Sequence, residues 1–197
     1  MPQSIIDKKF VFAGNRFFVL REMLKAKLNL IKIFAVPGSY LEKELNESKI
    51  LYSILPDKKS FIEELNNLHF DFFIANGLPH ILPIKQLTKD SDKAFINIHP
   101  SYLPDLQGKD PVPAAVLFGR DSGATCHYMN DNIDNGDIIQ QVKIEYTTEL
   151  DCALLYQLSF IAERDVFVKS LNTAFLAIRK QDSSDRYINY KIKDSDR

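Results

Sequence analysis

The sequence is poor in several things, and each scarcity narrows its reading. Two cysteines, Cys126 and Cys152, are too few for a disulfide framework in a chain of 197 residues. Both fall in segments that read as strand or helix, so small buried thiols are expected. Charge of one sign is not in excess. The formal net charge is −1, which leaves no global basic field for nucleic acid and no acidic tail. Long hydrophobic runs are missing as well. The longest, such as Phe70–Ala75, is broken by Asp71 and falls far short of the ~20 apolar residues that span a bilayer. The opening segment MPQSIIDKKF has no long apolar region and does not read as a signal peptide. Internal repeats and low-complexity segments are also lacking. These features predict a cytoplasmic protein with neither a membrane nor a nucleic acid as partner.

What is present is an ordinary soluble composition, 45% apolar and 26% charged, in a length suited to one α/β domain. Lys9 to Ala13 reads as a strand closed by Gly14, and Phe17, Leu20, Leu24 and Leu28 recur at helical spacing behind it. Leu30 to Val36 is a second strand, closed by Pro37-Gly38, with Ser39 placed to cap a helix through Asn46. Ile50 to Leu55 reads as a short third strand. Asp57 can cap the next helix, with Phe61, Leu65 and Leu68 on one face. Phe70 to Ala75 is nearly continuous in apolar residues, as a central parallel strand buried on both faces would be. Ala94 to Ile98 is the next strand.

This alternation predicts a doubly wound, mostly parallel, Rossmann-like α/β sheet. The pattern changes after residue 98. A Pro- and Gly-containing loop covers 100–113, and a short helix covers Ala114 to Phe118. Strands follow at Thr125 to Met129 and Asp137 to Ile144. Their connection is too short for a crossover helix, so an antiparallel C-terminal part is expected. A long helix is expected from about Glu149 to Arg179, with an apolar stripe of Leu154, Leu158, Ile161, Val168, Leu171, Phe175 and Ile178. Asp165 interrupts that stripe. The domain is expected over 1–180 and a short tail over 181–197, with Arg186 to Tyr190 a candidate strand.

Chemistry concentrates in Asn97-Ile98-His99-Pro100-Ser101. Asn97 and His99 are two apart on a strand, so their side chains share a face, at the carboxyl end where open α/β sheets place their sites. Pro100 keeps His99 out of the helical region. A histidine there can move a proton near neutral pH, and an asparagine can donate to an oxyanion. A carboxylate that orients the ring is the expected third member, and Asp134 is the strongest candidate. Gly136 marks a position where unusual dihedrals are expected. Taken singly these residues have plainer readings. Asn-x-His is commonly a polar strand end, and Asp-Asn-Gly is common turn chemistry.

The ordered set reads differently. Asn97-Ile98-His99-Pro100-Ser101, Leu103-Pro104, Gly108, Pro111, Gly119, Gly123, His127 and Asp134-x-Gly136-Asp137-Ile138-Ile139 together resemble the folate-dependent formyltransferase family. The likeness runs continuously from about Phe70 to Gln140. It implies a catalytic triad of Asn97, His99 and Asp134, a donor of 10-formyltetrahydrofolate and no metal. It also implies a folate site in the 76–83 segment, at Gly77, Pro79, His80, Ile81 and Leu82. Backbone groups of His80 and Leu82 would read the pteridine edge. The other wall would be the loop holding Met129, Asp131 and Ile133. His80 stands where relatives often carry Arg, with Pro79 before it.

The acceptor is read from departures. A purine-pathway relative acting on phosphoribosylglycinamide carries a Gly- and Ser-rich first loop, whereas Ala13-Gly14-Asn15-Arg16 has a single glycine. The methionyl-tRNA enzyme has a further β-domain and basic surfaces, which weakens that expectation, and formyl-folate hydrolases have an extra N-terminal domain that is not expected before Lys9. The run His99 to Pro104, the Gly108-Lys109-x-Pro111 that follows, and the first loop resemble the sugar N-formyltransferases most. That implies a nucleotide-linked amino sugar as partner, contacted by Gly14, Arg16, Tyr102, Gln107 and Lys109. Gln107, Lys109 and Tyr102 have plain alternatives, as solvated loop or packing residues. Ala114-Ala115 replaces a tryptophan that many relatives place there. The resemblance allows a homodimer with an altered interface. A binding module that kept the fold without activity is the alternative from another class.

Overall fold

The structure, a computed structural model, describes residues 3–181. In chain order the elements are α1 (Gln3–Ile6), β1 (Lys9–Gly14), α2 (Phe18–Lys25), β2 (Asn29–Ala35), α3 (Tyr40–Glu47), β3 (Ser53–Ile54), α4 (Lys58–Asn67) and β4 (Phe72–Asn76). There follow α5 (Ile84–Thr88), β5 (Ala94–His99), α6 (Pro111–Phe118), β6 (Ser122–Tyr128), β7 (Ile138–Ile144) and α7 (Cys152–Asn172). The strand order is β3-β2-β1-β4-β5-β6-β7. The expected fold class holds: the early strands pair in parallel, and β6 and β7 pair antiparallel. The order reverses at β1, which has β2 on one side and β4 on the other. Such switch points are where open α/β sheets leave a crevice.

The chain clusters into two compact units that divide between Asn97 and Ile98, within β5. The first unit is built around aromatic rings. Phe61 packs edge-on against Phe34 at 4.9 Å and Phe73 lies 5.3 Å from Phe95, all from fully or nearly fully buried positions. Each such ring buries a large apolar area and gains further from tilted contact. Two expected caps are present. Ser39 Oγ accepts the Glu42 N–H, and Asp57 accepts from Lys59 and Ser60. At β1 the backbones approach so closely that a β-carbon on Gly14 would overlap the Asn76 carbonyl of β4. Gly14 is therefore required by strand packing. The α1 and α5 helices were not expected, and at four and five residues neither shows a helical period in sequence.

The second unit packs α7 against β6 and β7. Here the expected stripe is corrected. The buried face of α7 is Leu155, Ser159, Ala162, Glu163, Val166, Phe167, Ser170 and Leu171, while Leu154 and Ile161 stand about half exposed. Small and polar residues line the packed face, which hides its period from an apolar count. Asp165 then needs no special account: it lies off the buried face and pairs with Arg164 at 2.7 Å. The helix also ends earlier than expected, at Asn172, because Ala174 and Phe175 take left-handed backbone angles (φ 52° and 58°). Cys126 is buried as expected, but Cys152 is only half-buried. The candidate strand Arg186 to Tyr190 lies outside the described residues. Among the described residues, no helix is long and apolar enough to cross a membrane.

Candidate active site

β5 ends at His99, and Pro100 follows, so the imidazole is fixed where the strand stops. The side chain is buried. Its Nδ1 lies 3.4 Å from Oδ2 of Asp134, and its Nε2 lies 3.0 Å from the carbonyl oxygen of Leu106. Both ring nitrogens thus face acceptors. Only a ring carrying two N–H groups satisfies both, so the geometry suits an imidazolium. Asn97 sits two residues earlier on the same strand and is half-buried.

Asp134 is held from several directions. The Gly108 backbone N–H donates to Oδ2 at 2.9 Å. His127, buried on β6, brings Nε2 to 3.5 Å from Oδ1, while its Nδ1 meets the Tyr128 carbonyl at 2.8 Å. Burial by itself would raise the Asp134 carboxyl. The charge of His99, the hydrogen bond and charge of His127, and the Gly108 N–H outweigh it and hold the group well below the usual carboxylate range. Asp134 stays ionised and can orient and charge the His99 ring.

The backbone here is as specific as the side chains. Leu106, Asp110 and Asp134 all have positive φ (58°, 54° and 49°), an uncommon state for residues with a β-carbon. Strained backbone clusters at functional sites, where surrounding structure over-determines it. Gly136 was expected to need unusual dihedrals, and that is corrected: the left-handed residue is Asp134, and Gly136 is required because a β-carbon would overlap the Tyr128 carbonyl. The loop before α6 is anchored too. Ser101 Oγ donates to the Asp105 carbonyl, Thr125 Oγ1 to the Ser101 carbonyl, and Arg120 pairs with Asp105.

The remaining expected site residues fall as follows. In the first unit, Gly77 has φ 73° and lies against the Asn15 side chain, so a β-carbon there would collide. Pro79 and Ile81 are exposed, whereas Leu82 is buried in the core. The His80 ring turns to the Pro56 carbonyl at 2.9 Å and packs on Phe61, which leaves its backbone as the part available to a ligand. Arg16 is half-buried beside Gly14. In the second unit, Met129 is half-buried, and Asp131 and Ile133 are exposed. Lys109 is exposed. Tyr102 is half-buried, and its phenol adds to the field on Lys143, whose pKa is raised chiefly by a hydrogen bond to Asp121. Gln107 was expected to face either acceptor or solvent. It is 3% exposed, and its amide donates to the Asp134 carbonyl and to Gln181.

Four participants were not assigned a role from sequence: His127, the Gly108 N–H, the Leu106 carbonyl and Gln181. The first two were part of the motif, which was the available signal. The last two carried none.

The sequence matches the formyl transferase family over residues 34–171. This chain belongs to that family. Its members use a formyl-tetrahydrofolate as donor. Methionyl-tRNA formyltransferase of Clostridium novyi is 30% identical over 119 residues, which is 60% of this chain and 38% of that protein. The chain thus spans well under two thirds of that relative's length. Three solved structures share the fold. A 4-N formyltransferase from Francisella tularensis superposes with a TM-score of 0.76 at 22% identity, covering 96% of this chain and 77% of the other. WlaRD, a sugar 3-N-formyltransferase solved with dTDP and 5-N-formyl-tetrahydrofolate, gives 0.72 at 20% identity, with 92% and 69% covered. Phosphoribosylglycinamide formyltransferase from Anaplasma phagocytophilum gives 0.74 at 20% identity, with 93% and 98% covered. At these identities the likeness shows the fold.

Proposed function

We propose that this formyltransferase moves the formyl group of 10-formyltetrahydrofolate to the amine of a nucleotide-linked amino sugar, such as a 4-amino-4,6-dideoxyhexose destined for surface polysaccharide. The observation that carries the chemistry is His99 set between Asp134 and the Leu106 carbonyl at the end of β5. The acceptor amine attacks the formyl carbon and forms a C–N bond. The carbonyl oxygen becomes an oxyanion, to which Asn97 and the His99 imidazolium donate. The bond from that carbon to folate N10 then breaks, N10 takes a proton and the former amine loses one. One oxyanion donor is typically worth about 3–4 kcal/mol of barrier. Asp134 keeps His99 oriented and charged. Backbone groups of His80 and Leu82 read the pteridine, with Gly77, Pro79, Ile81, Met129, Asp131 and Ile133 as further folate contacts. Gly14, Arg16, Tyr102 and Lys109 serve the acceptor. Gln107, spent on the Asp134 loop, acts there instead.

The sugar acceptor is favoured by the single-glycine first loop and by fold likeness to sugar formyltransferases such as WlaRD. A second reading, phosphoribosylglycinamide, is favoured by coverage of 98% of the Anaplasma enzyme. The deciding experiment offers the protein 10-formyltetrahydrofolate with amino-sugar nucleotides, glycinamide ribonucleotide and methionyl-tRNA, and reads products by mass spectrometry. A formylated amino-sugar nucleotide supports the proposal. Formylation of glycinamide ribonucleotide or methionyl-tRNA alone replaces it.

A further inference from the structure

After α7 the chain returns beside β7 and reaches the Asp134 loop. Ile138 exchanges backbone hydrogen bonds with Ile178 and Arg179, an antiparallel bridge that fixes the segment's path. From it two side chains reach the loops that frame His99. Arg179 donates to the Leu103 carbonyl at 3.3 Å and to Gln141 Oε1 at 2.9 Å. Gln181 donates to the carbonyls of Asp134 and Gly136 at 2.9 and 2.8 Å. Gln107, from the other loop, donates to the same Asp134 carbonyl at 3.1 Å and to Gln181 Oε1 at 3.3 Å.

We propose that Gln181 is a positioning residue for the Asp134 carboxylate. Its amide bridges the two carbonyls on either side of Asn135 and, together with Gln107, fixes the backbone that aims Asp134 at His99. The reason lies in the backbone angle. Asp134 has φ 49°, a left-handed state that aspartate tolerates better than most residues with a β-carbon but at a cost that contacts to its own backbone offset. The Gly108 N–H and the rings of His99 and His127 engage the carboxylate of Asp134. The main-chain carbonyls of Asp134 and Gly136 are engaged by the two glutamines. An amide is suited to this, since its NH2 offers two donors to two carbonyls while its oxygen accepts from Gln107. The site's acid is thereby tied to a segment 47 positions away in sequence.

This inference rests on the reading of His99 and Asp134 as the reacting pair, and its test separates the two. Side-chain carboxyl shifts of Asp134 are followed by NMR from neutral pH downward in the unmodified protein and in two uncharged variants, Gln181→Leu and Gln181→Met. Among the described residues, His99 from β5, His127 from β6 and the Gly108 N–H face that carboxylate, and none of them is altered. The unmodified carboxyl titrates below the ordinary carboxylate range. Both variants bring its titration up into the ordinary carboxylate range. With a working acceptor, kcat falls roughly tenfold or more while KM for the folate moves by less than about threefold, the pattern of a lost transition-state interaction. Gln181→Asn, which keeps a neutral amide donor for the carbonyls, recovers part of both. If Gln181→Leu fails to fold, Gln181→Met, of similar length and uncharged, decides. An Asp134 titration unchanged in the folded variants overturns the proposal, even if thermal stability drops. Should the unmodified protein turn over no acceptor, the function proposed above fails, and the titration still decides the role of Gln181.

Discussion

His127 and His99 approach opposite oxygens of one carboxylate, at 3.5 Å to Oδ1 and 3.4 Å to Oδ2 of Asp134. A single carboxylate set between two rings cannot swing toward one without leaving the other. In the proposed mechanism His127 acts through Asp134. His127→Gln is expected to lower kcat by roughly tenfold to a hundredfold, the worth of about 1.5–3 kcal/mol for a hydrogen bond to a charged group, with KM for the folate little changed. Steady-state kinetics on the variant checks this, and a change confined to KM contradicts it.

Asp134→Asn keeps the shape of the side chain and removes its charge. The His99 ring then loses the group that orients and charges it. Turnover is expected to fall by roughly 10²–10⁴-fold, as for loss of an acid–base partner. The same carboxyl shapes the acid stability. Its folded pKa is depressed, so its contribution is present above the unfolded value near ~3.9 and is lost as pH falls through that value toward the folded one. Urea unfolding from pH 6 to 3 should show a steeper loss of stability in the unmodified protein than in Asp134→Asn.

The two cysteines differ in reactivity for a physical reason. Burial pushes the Cys126 thiol up to about 12, against a lesser opposing hydrogen bond from Ser170. The thiolate is the reactive form, so Cys126 is inert in the folded protein. Thiol reagents at pH 8 should label half-buried Cys152 alone, with Cys126 added only in denaturant. Rapid native labelling at Cys126 would show that β6 is not packed as described.

The face of α7 can be tested by paired substitutions. Leu155 packs with Leu106, Val112, Ala114 and Ala115, whereas Leu154 beside it stands about half exposed. Leu155→Ala is expected to cost about 2–5 kcal/mol, as for buried leucines elsewhere. Leu154→Ala should lie within about 1 kcal/mol of the parent, as surface changes usually do. Equal losses in thermal or urea unfolding would contradict the placement.

Much of the architecture was legible in the residues. The early alternation of elements, the caps at Ser39 and Asp57, and the hairpin of β6 and β7 all follow from local signals that tertiary packing did not override. The α7 face was not legible, because Ser159, Glu163 and Ser170 occupy packed positions that an apolar count passes over. In the site, His99 and Asp134 were readable as residue types in order. Around them, His127 and Gly108 stand in the motif with no role attached to them, and the Leu106 carbonyl belongs to the backbone, which carries no residue signature. Gln107 reads as an acceptor contact or a solvated loop residue because its partner, Gln181, arrives from beyond α7.

The central claim is that His99, held by Asp134, carries formyl transfer. The most direct measurement is transfer of a labelled formyl group from 10-formyltetrahydrofolate to the acceptor panel by the unmodified protein and by His99→Ala. The account predicts labelled product and released tetrahydrofolate with the unmodified protein, and a rate lower by roughly 10²-fold or more in His99→Ala. Equal rates in the two proteins, or no product with any acceptor from a folded protein that binds the folate, would contradict it.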